Sequence, residues 1–229
     1  MGKHINGGLL NRRQLLSMAP SVLALPVFAS IFPTSTRAAV PRDLRFLALY
    51  QGSPVGMHSV SFLRDDDRLV VTSHIDIVIK VLFFTAFRFE HKAVEIWRSG
   101  RLISVESTTN DNGRQHSVSG HVTPDGFHIN GTDGPFLADG ALLTTNTLWD
   151  NRLIHESRII DVQNGGESGL VVKPLGKEQV DTPQGRIMAN RFRIITPDYA
   201  GSLFFDDYGR WVKCLLERQG EILEYALIS

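Results

Sequence analysis

Two histidines and a carboxylate could act together on one strand-like stretch of this chain. In the segment 68–80, apolar residues occupy odd positions, whereas His74 and Asp76 lie at even positions and therefore share one face of a strand. A turn centred on Asp66 would place His58 directly opposite His74. A histidine pair beside a carboxylate can hold a metal ion or move protons, while the simpler interpretation is a solvated or hydrogen-bonded sheet face. Because a slip of one residue would separate the histidines, we assign no metal site and no catalytic residue.

A second strand-like stretch, 86–98, continues this polar face. It carries Arg88 and Glu90 on one side, and two-residue turns in the hairpins that follow would align Glu90 with Thr109 and His116. Such rows stabilise sheets without any further role, but a polar row on a curved sheet can also orient the polar end of a ligand. The polar candidates for ligand contact are His58, His74, Asp76, Arg88 and Glu90.

The connection between these two stretches is apolar, although turns are usually polar. Residues 81–84 read Val-Leu-Phe-Phe. This run can fold inward and plug one end of the sheet, or it can form an exposed lip that contacts lipid, an apolar ligand or a partner. Trp149 can likewise close a sheet edge or stack on a ligand. Phe83, Phe84 and Trp149 are the apolar candidates for ligand contact, with Phe87 and Phe89 as further walls.

Turn residues separate short alternating or β-branched runs through most of the chain, which is typical of an all-β domain. Asn112-Gly113 is the strongest hairpin signal, because a type I′ turn needs positive φ at both central residues. Only 135–158 breaks the pattern, and it predicts one short helical segment near 141–155. Short connections favour antiparallel neighbours. The prediction is therefore an all-β, mainly antiparallel fold: a strongly curved meander sheet that forms a partly closed barrel or half-barrel.

The first 39 residues have the composition of an export signal. A basic start without acids precedes an apolar stretch that is broken by prolines, and Thr36-Arg37-Ala38 offers small residues to a signal peptidase. Residues 11–16, Asn-Arg-Arg-Gln-Leu-Leu, resemble a twin-arginine signal, although an ordinary signal peptide or an uncleaved anchor is the alternative. We predict that residues 1–39 are a twin-arginine-type signal peptide read by the export machinery. Residues 40–229 would then form a single all-β domain in the periplasm.

Composition and the absence of known motifs reduce the classes of function that the sequence allows. Twenty-four basic residues balance 24 acidic ones, so we expect no nucleic-acid partner. No long apolar run follows the signal, so we expect no stable transmembrane segment after processing. Cys214 is the single cysteine and fits a buried strand position. The sequence contains no hydrolase elbow, phosphate-binding glycine loop or zinc motif, and we assign no cofactor.

Several segments resemble an exported bacterial family of unknown function, the DUF6134 type. They are Gly52-Ser-Pro-Val-Gly-Met-His58, Ile77-Val-Ile-Lys-Val-Leu-Phe-Phe-Thr85, Phe89-Glu-His-Lys-Ala-Val-Glu-Ile-Trp97, Thr109-Asn-Asp-Asn-Gly113 and Asp207-Tyr-Gly-Arg-Trp-Val-Lys213. The resemblance spans nearly all of 40–229, and the layout is similar to that of the DUF3108 group of secreted β-proteins. The resemblance implies a β fold and export, and it implies no activity or catalytic residue.

Three functions are compatible with these features. The leading hypothesis is a non-catalytic periplasmic binding module for an apolar or amphipathic small molecule, such as an envelope lipid. The second is a hydrolase or isomerase that uses a histidine–carboxylate pair such as His74 with Asp76. The third is a structural or assembly partner of an exported complex, which would dock through the apolar run 81–84.

Overall fold

A computed structural model of the protein describes residues 41–81, 84–132, 134–138, 142–218 and 220–229. The predicted signal peptide and two residues of the apolar run, Leu82 and Phe83, lie outside the described residues. Within the described ranges, no helix has the length and apolar content needed to cross a membrane.

The described residues form sixteen strands and two short 3₁₀ helices. The first eight strands are β1 Leu44–Tyr50, β2 Ser53–Asp65, β3 Arg68–Val81, β4 Phe84–Arg98, β5 Arg101–Asp111, β6 Arg114–Thr123, β7 Gly126–Gly131 and β8 Gly134–Ala138. The middle of the chain contains β9 Leu143–Thr144, the 3₁₀ helices η1 Thr147–Trp149 and η2 Asn151–His155, β10 Arg158–Ile160 and β11 Glu167–Gly169. The last five strands are β12 Val171–Thr182, β13 Gly185–Ile195, β14 Ala200–Phe205, β15 Trp211–Arg218 and β16 Glu221–Leu227.

Thirteen of these strands make one antiparallel sheet. Its order is β12-β13-β14-β15-β16-β1-β2-β3-β4-β5-β6-β7-β8, so two meanders are joined where β16 pairs with β1. The edge strands are β8 and β12, and β12 is interrupted by Pro174 and by a bulge before Gly176. The predicted all-β, mainly antiparallel meander is confirmed.

Side-chain alternation explains which face of the sheet is buried. In β3, Val71, Ile75 and Ile77 are buried, while His74 and Asp76 between them are exposed. We call these two sides the core face and the exposed face. The large aromatic side chains of β1 and β15 fill the centre of the core, where the Phe46 and Trp211 ring centroids lie 4.0 Å apart. Cys214 is buried beside them, as predicted, and this burial raises the pKa of its thiol.

The predicted register between β2 and β3 was wrong by one residue. The turn has two residues rather than three, and Asp66 adopts a φ of 53° there. His58 therefore lies opposite Ile75, and His74 lies opposite Ser59. Because side chains alternate between faces, the shift places His58 in the core and His74 on the exposed face.

A bulge also changes the register between β4 and β5. One extra residue in β5, at Ile103, shifts the pairing beyond it. Glu90 consequently lies opposite Asn110, and the predicted pairing of Glu90 with Thr109 was wrong. The pairing of Thr109 with His116 is confirmed.

The segment 142–170 contains the short helices and a small second sheet of order β11-β10-β9. The predicted short helical segment is confirmed as η1 and η2. Trp149 packs edge-on against Phe62 and Trp97, with centroid distances of 5.2 and 5.9 Å. Hydrogen bonds attach the segment to the large sheet. Ser107 Oγ donates to the Val162 carbonyl at 2.5 Å, and the Thr132 N–H donates to the Asn164 carbonyl at 2.7 Å.

Candidate functional site

The exposed face of β3 to β7 is hollowed into an open groove of about 870 Å³. We call it the groove. Its lining is rich in hydroxyl, amide and charged side chains, including Thr72, His74, Lys92, Glu106, Thr108 and Ser117. Strand alternation places these residues together, because the lining side chains of β3, β4, β5 and β6 pair directly across neighbouring strands.

A histidine and a lysine form the centre of the groove. His74 lies directly opposite Lys92, and Lys92 lies opposite Thr108 on the next strand. Among the described residues, Lys92 forms no ion pair within 4 Å. The groove therefore presents an ammonium group next to an imidazole and a hydroxyl, and all three can donate hydrogen bonds to an anionic oxygen.

The other predicted polar residues lie further along the same face. Asp76 pairs across the strands with Glu90, and Arg88 Nη2 donates to Glu90 Oε1 at 2.6 Å. Hydrogen bonds from Arg88 and Asn110 lower the pKa of Glu90. The structure thus brings His74, Asp76, Arg88 and Glu90 onto one face. Within the described part of the chain, no hydrogen bond joins His74 to Asp76.

An apolar row borders the polar groove on the same face. Leu63, Val70 and Ile96 pair directly across β2, β3 and β4, and Leu63 is 66% exposed. Val94, one position inward, lines the groove itself. This face is therefore amphipathic, because polar donors and exposed branched side chains lie within two residues of each other along each strand.

The predicted apolar candidates are dispersed. Phe83 lies outside the described residues, and Phe84 is 76% exposed at the start of β4. Trp149 packs on the core side of the sheet against Trp97. Phe89 is partly buried, with its ring stacked on His91 at 6.4 Å. None of the described candidates Phe84, Phe89 and Trp149 lines the groove.

A buried polar cluster lies behind the groove, on the core face of β4. His91 Nδ1 donates to Thr109 Oγ1 at 2.8 Å, and His91 Nε2 accepts from the Asn146 amide at 2.9 Å. Burial lowers the pKa of His91 to about 4. The sequence signal for this cluster is that two ionisable residues, His91 and Glu95, share the core-facing side of the segment 86–98. Residue spacing does not reveal their hydrogen-bond partners in 142–147.

Glu95 is the acidic member of this cluster and is fully buried. The Thr144 hydroxyl lies 2.5 Å from Oε1, and Trp97 Nε1 donates to Oε2 at 3.1 Å. Burial nevertheless raises the pKa of Glu95 to about 7, because moving a carboxylate out of water costs more than these two contacts return. The described residues contain no group of three or more histidine, cysteine, aspartate or glutamate side chains that could hold a metal ion.

His58 lies deeper in the core, within an aromatic cage. The Trp211 and Tyr225 ring centroids lie 5.4 and 5.2 Å from its imidazole, both edge-on. Neither ring nitrogen has a hydrogen-bond partner among the protein atoms of the described ranges. Burial lowers the pKa of His58 to about 3. The imidazole is therefore neutral at physiological pH and cannot contact a ligand in the groove.

Replacing His58 with leucine is expected to make folding less sensitive to acid. The pKa of His58 is lower in the folded chain than its ordinary 6.5, so wild type loses stability as pH falls below that value. The unfolding free energy of His58→Leu should rise relative to wild type by about 2 kcal/mol between about pH 6.5 and about pH 5. Urea denaturation at both pH values measures the difference. His121→Leu, at an exposed position, is the control, and an unchanged pH profile in His58→Leu would contradict the assignment.

Comparisons with known proteins agree with this architecture. A solved β-barrel-like protein from Brucella abortus, of the domain of unknown function DUF1849, matches with a TM-score of 0.62 and 8% identity. The match covers 83% of this chain and 96% of that one, and it shows similarity of fold alone. A candidate lipoprotein from Parabacteroides distasonis matches at 11% identity over 81% of this chain and 92% of its own. Its TM-score of 0.29 is too low to support an argument.

The family assignment rests on the chain itself. Among curated proteins, none matches significantly. The model of the family described as "Domain of unknown function (DUF6134)" matches residues 46–228, which includes β2 to β16 in full. The resemblance noted from the sequence segments is confirmed, and the chain belongs to the DUF6134 family.

Proposed function

We propose that this protein is an exported binding module whose groove holds the anionic headgroup of an amphipathic small molecule, such as an envelope lipid. The observation that carries the proposal is the amphipathic exposed face. It places the unpaired Lys92 and its neighbour His74 on the same face as the apolar row of Leu63, Val70 and Ile96, with the pair of Thr72 and Val94 between them.

The arrangement of charges around the groove favours binding of an anionic headgroup at one position over nonspecific binding of anions along the whole face. Lys92 and His74 stand between Glu106 on one side and the pair of Asp76 and Glu90 on the other. Asp76 and Glu106 repel an anionic oxygen on the two sides, and Arg88 is already paired with Glu90, so an anion is attracted most strongly to Lys92 and His74. Hydroxyl groups beside Lys92 add neutral donors that can complete the coordination of a phosphate or carboxylate.

The groove has a size suited to a headgroup rather than to a whole lipid. Small-molecule sites commonly enclose about 300–1,000 Å³, and the groove falls in this range. The alkyl part would then lie over the neighbouring apolar row, where branched side chains are already partly exposed to water. The export signal predicted from residues 1–39 supports placing this activity in the periplasm, where envelope amphiphiles occur.

The test uses dodecyl phosphate below its micelle concentration, with dodecyl maltoside as the probe that has a neutral headgroup. Wild type should bind dodecyl phosphate, and the double variant His74→Gln with Lys92→Gln should bind it about tenfold or more weakly, because charge-assisted hydrogen bonds are lost. Leu63→Ser should weaken dodecyl phosphate binding and leave the weak binding of inorganic phosphate unchanged. Calorimetric titration measures each affinity.

Lys173→Gln is the matched control, because Lys173 is exposed on the distant edge strand β12. Equal affinity of wild type and the double variant, or equal affinity for the maltoside and the phosphate, would reject headgroup recognition in the groove. Extraction of the protein purified from exporting cells, followed by mass spectrometry, then identifies the natural amphiphile.

A further inference from the structure

A second pocket, of about 600 Å³, lies between the β12–β13 turn and the β14–β15 turn. Its polar lining comes from Arg42, Thr182, Gln184, Asp206, Tyr208 and Arg210. Ile187, Val212 and Leu227 supply an apolar floor. Three of the polar residues belong to or adjoin the segment Asp207–Lys213, which the groove does not use.

Two guanidinium groups in this pocket are available to a ligand. Arg210 Nε is buried and has no hydrogen-bond partner among the protein atoms of the described residues. Neither Arg42 nor Arg210 forms an ion pair with a described side chain. By contrast, Arg186 on the adjacent hairpin is satisfied by Asp181 at 2.8 Å. An unpaired guanidinium with a buried nitrogen is costly unless an oxyanion meets it, because guanidinium presents a planar fork of donors.

Asp206 fixes the backbone of the β14–β15 turn, and its carboxylate already accepts hydrogen bonds from that backbone. Its Oδ1 accepts from the backbone N–H groups of Tyr208 and Arg210, at 2.9 and 2.8 Å. The turn is also closed by a bond from the Asp206 N–H to the Arg210 carbonyl at 2.9 Å. These bonds fix the backbone from which the Arg210 side chain extends. Two guanidinium groups against one carboxylate leave the lining with a net positive charge.

Tyr208 and the apolar lining of the pocket indicate which chemical group the bound anion should carry. Tyr208 is 96% exposed, which is unusual for a large aromatic side chain with nothing packed on it. The apolar residues Ile187, Val212 and Leu227 line the same pocket as the guanidinium groups. An inorganic anion would bind the arginines but would contact neither the Tyr208 ring nor the apolar lining. An oxyanion attached to a compact apolar or aromatic group would contact the arginines, the Tyr208 ring and the apolar lining.

We propose that this pocket is a second ligand site, separate from the groove, which binds a small organic phosphate or carboxylate between Arg42 and Arg210 and packs its apolar body against Tyr208. The anion would accept hydrogen bonds from the guanidinium groups, and the Tyr208 ring would cover the ligand from the solvent side. The site does not depend on the amphiphile proposed for the groove.

The experiment titrates the protein, produced from its full chain, with phenyl phosphate and with inorganic phosphate. Phenyl phosphate should bind more tightly than inorganic phosphate. Arg210→Gln should weaken both by about tenfold or more, because a buried charge-assisted contact is lost. Tyr208→Ala should remove the advantage of phenyl phosphate and leave the affinity for inorganic phosphate unchanged. Arg42→Gln, at an exposed position before β1, repeats the charge test without touching the β14–β15 turn.

The controls separate this site from the groove. Arg186→Gln lies on the adjacent hairpin outside the pocket and should bind both probes as wild type does, and so should Lys92→Gln. If Lys92→Gln loses phenyl phosphate while Arg210→Gln and Arg42→Gln keep it, the anion sits in the groove and the second site is overturned. Absence of binding by wild type at millimolar probe overturns it as well.

Discussion

The Glu95→Gln variant is expected to gain about 2 kcal/mol of unfolding free energy relative to wild type between about pH 5 and about pH 7. The carboxyl of Glu95 has a pKa of about 7 in the folded chain, against an ordinary value of 4.5. Folding therefore favours the protonated form. Its stabilising effect is complete below about pH 4.5 and is lost progressively as pH rises to about 7. Glutamine does not titrate, so it does not share this loss.

At acidic pH, wild type should have a larger unfolding free energy than the Glu95→Gln variant. In wild type, Glu95 Oε2 accepts a hydrogen bond from Trp97 Nε1, and Glu95 Oε1 contacts the Thr144 hydroxyl. When the side-chain oxygen of the substituted glutamine faces Thr144, its amide nitrogen faces Trp97 and cannot accept the hydrogen bond from Nε1. Glu95→Gln should therefore be less stable than wild type near pH 5 and recover as pH rises. Urea denaturation across this range gives both curves, and Glu106→Gln, on the exposed face of β5, is the control. Parallel curves for wild type and Glu95→Gln would contradict the buried ionisation.

Gly131→Ala is expected to destabilise the protein by about 2–4 kcal/mol. A Cβ at Gly131 would lie 2.3 Å from the Asn164 carbonyl oxygen and 2.5 Å from Gly165 Cα, and both are backbone atoms that cannot move alone. The connection between β10 and β11, which contains Asn164 and Gly165, would have to separate from β7, and this breaks the hydrogen bond between Thr132 and Asn164. Thermal or urea unfolding measures the loss.

The same substitution should also weaken ligand binding, because Gly131 and Thr132 line the groove. Gly169→Ala is the matched control: its added Cβ meets no atom within 4 Å, and its backbone lies outside the left-handed region. We expect Gly169→Ala to retain dodecyl phosphate affinity and to change stability by less than about 1 kcal/mol. Equal losses in both glycine variants would show that a general cost of alanine, rather than the contact with Asn164, is responsible.

Alternation along the strands was sufficient to predict much of the fold and the membership of the polar face. His74 and Asp76 share a face because they are two residues apart in one strand, and no register is needed to know this. Contacts between strands required the turn length at Asp66 and the bulge at Ile103. Neither feature can be read from alternation, and the turn length decides that His58 lies on the core face while His74 lies on the exposed face.

The buried cluster shows a different limit of sequence reasoning. His91 and Glu95 stood at core-facing positions, which indicates that they need polar partners. Those partners, Asn146 and Thr144, are 55 and 49 residues away and lie on an irregular segment whose path is set by packing. The second pocket likewise joins residues from both ends of the chain, and periodicity within a strand carries no information about such meetings.

The interrupted edge strand β12 has a consequence for how molecules of this protein behave at high concentration. In the described part of the chain, the thirteen-stranded sheet has β12 and β8 as its edges, and backbone donors and acceptors along such an edge can pair with the edge of another copy. Pro174 removes a donor from that margin, and the bulge before Gly176 bends the remainder out of line. Pairing of β12 with the edge strand of a second copy is thereby disfavoured.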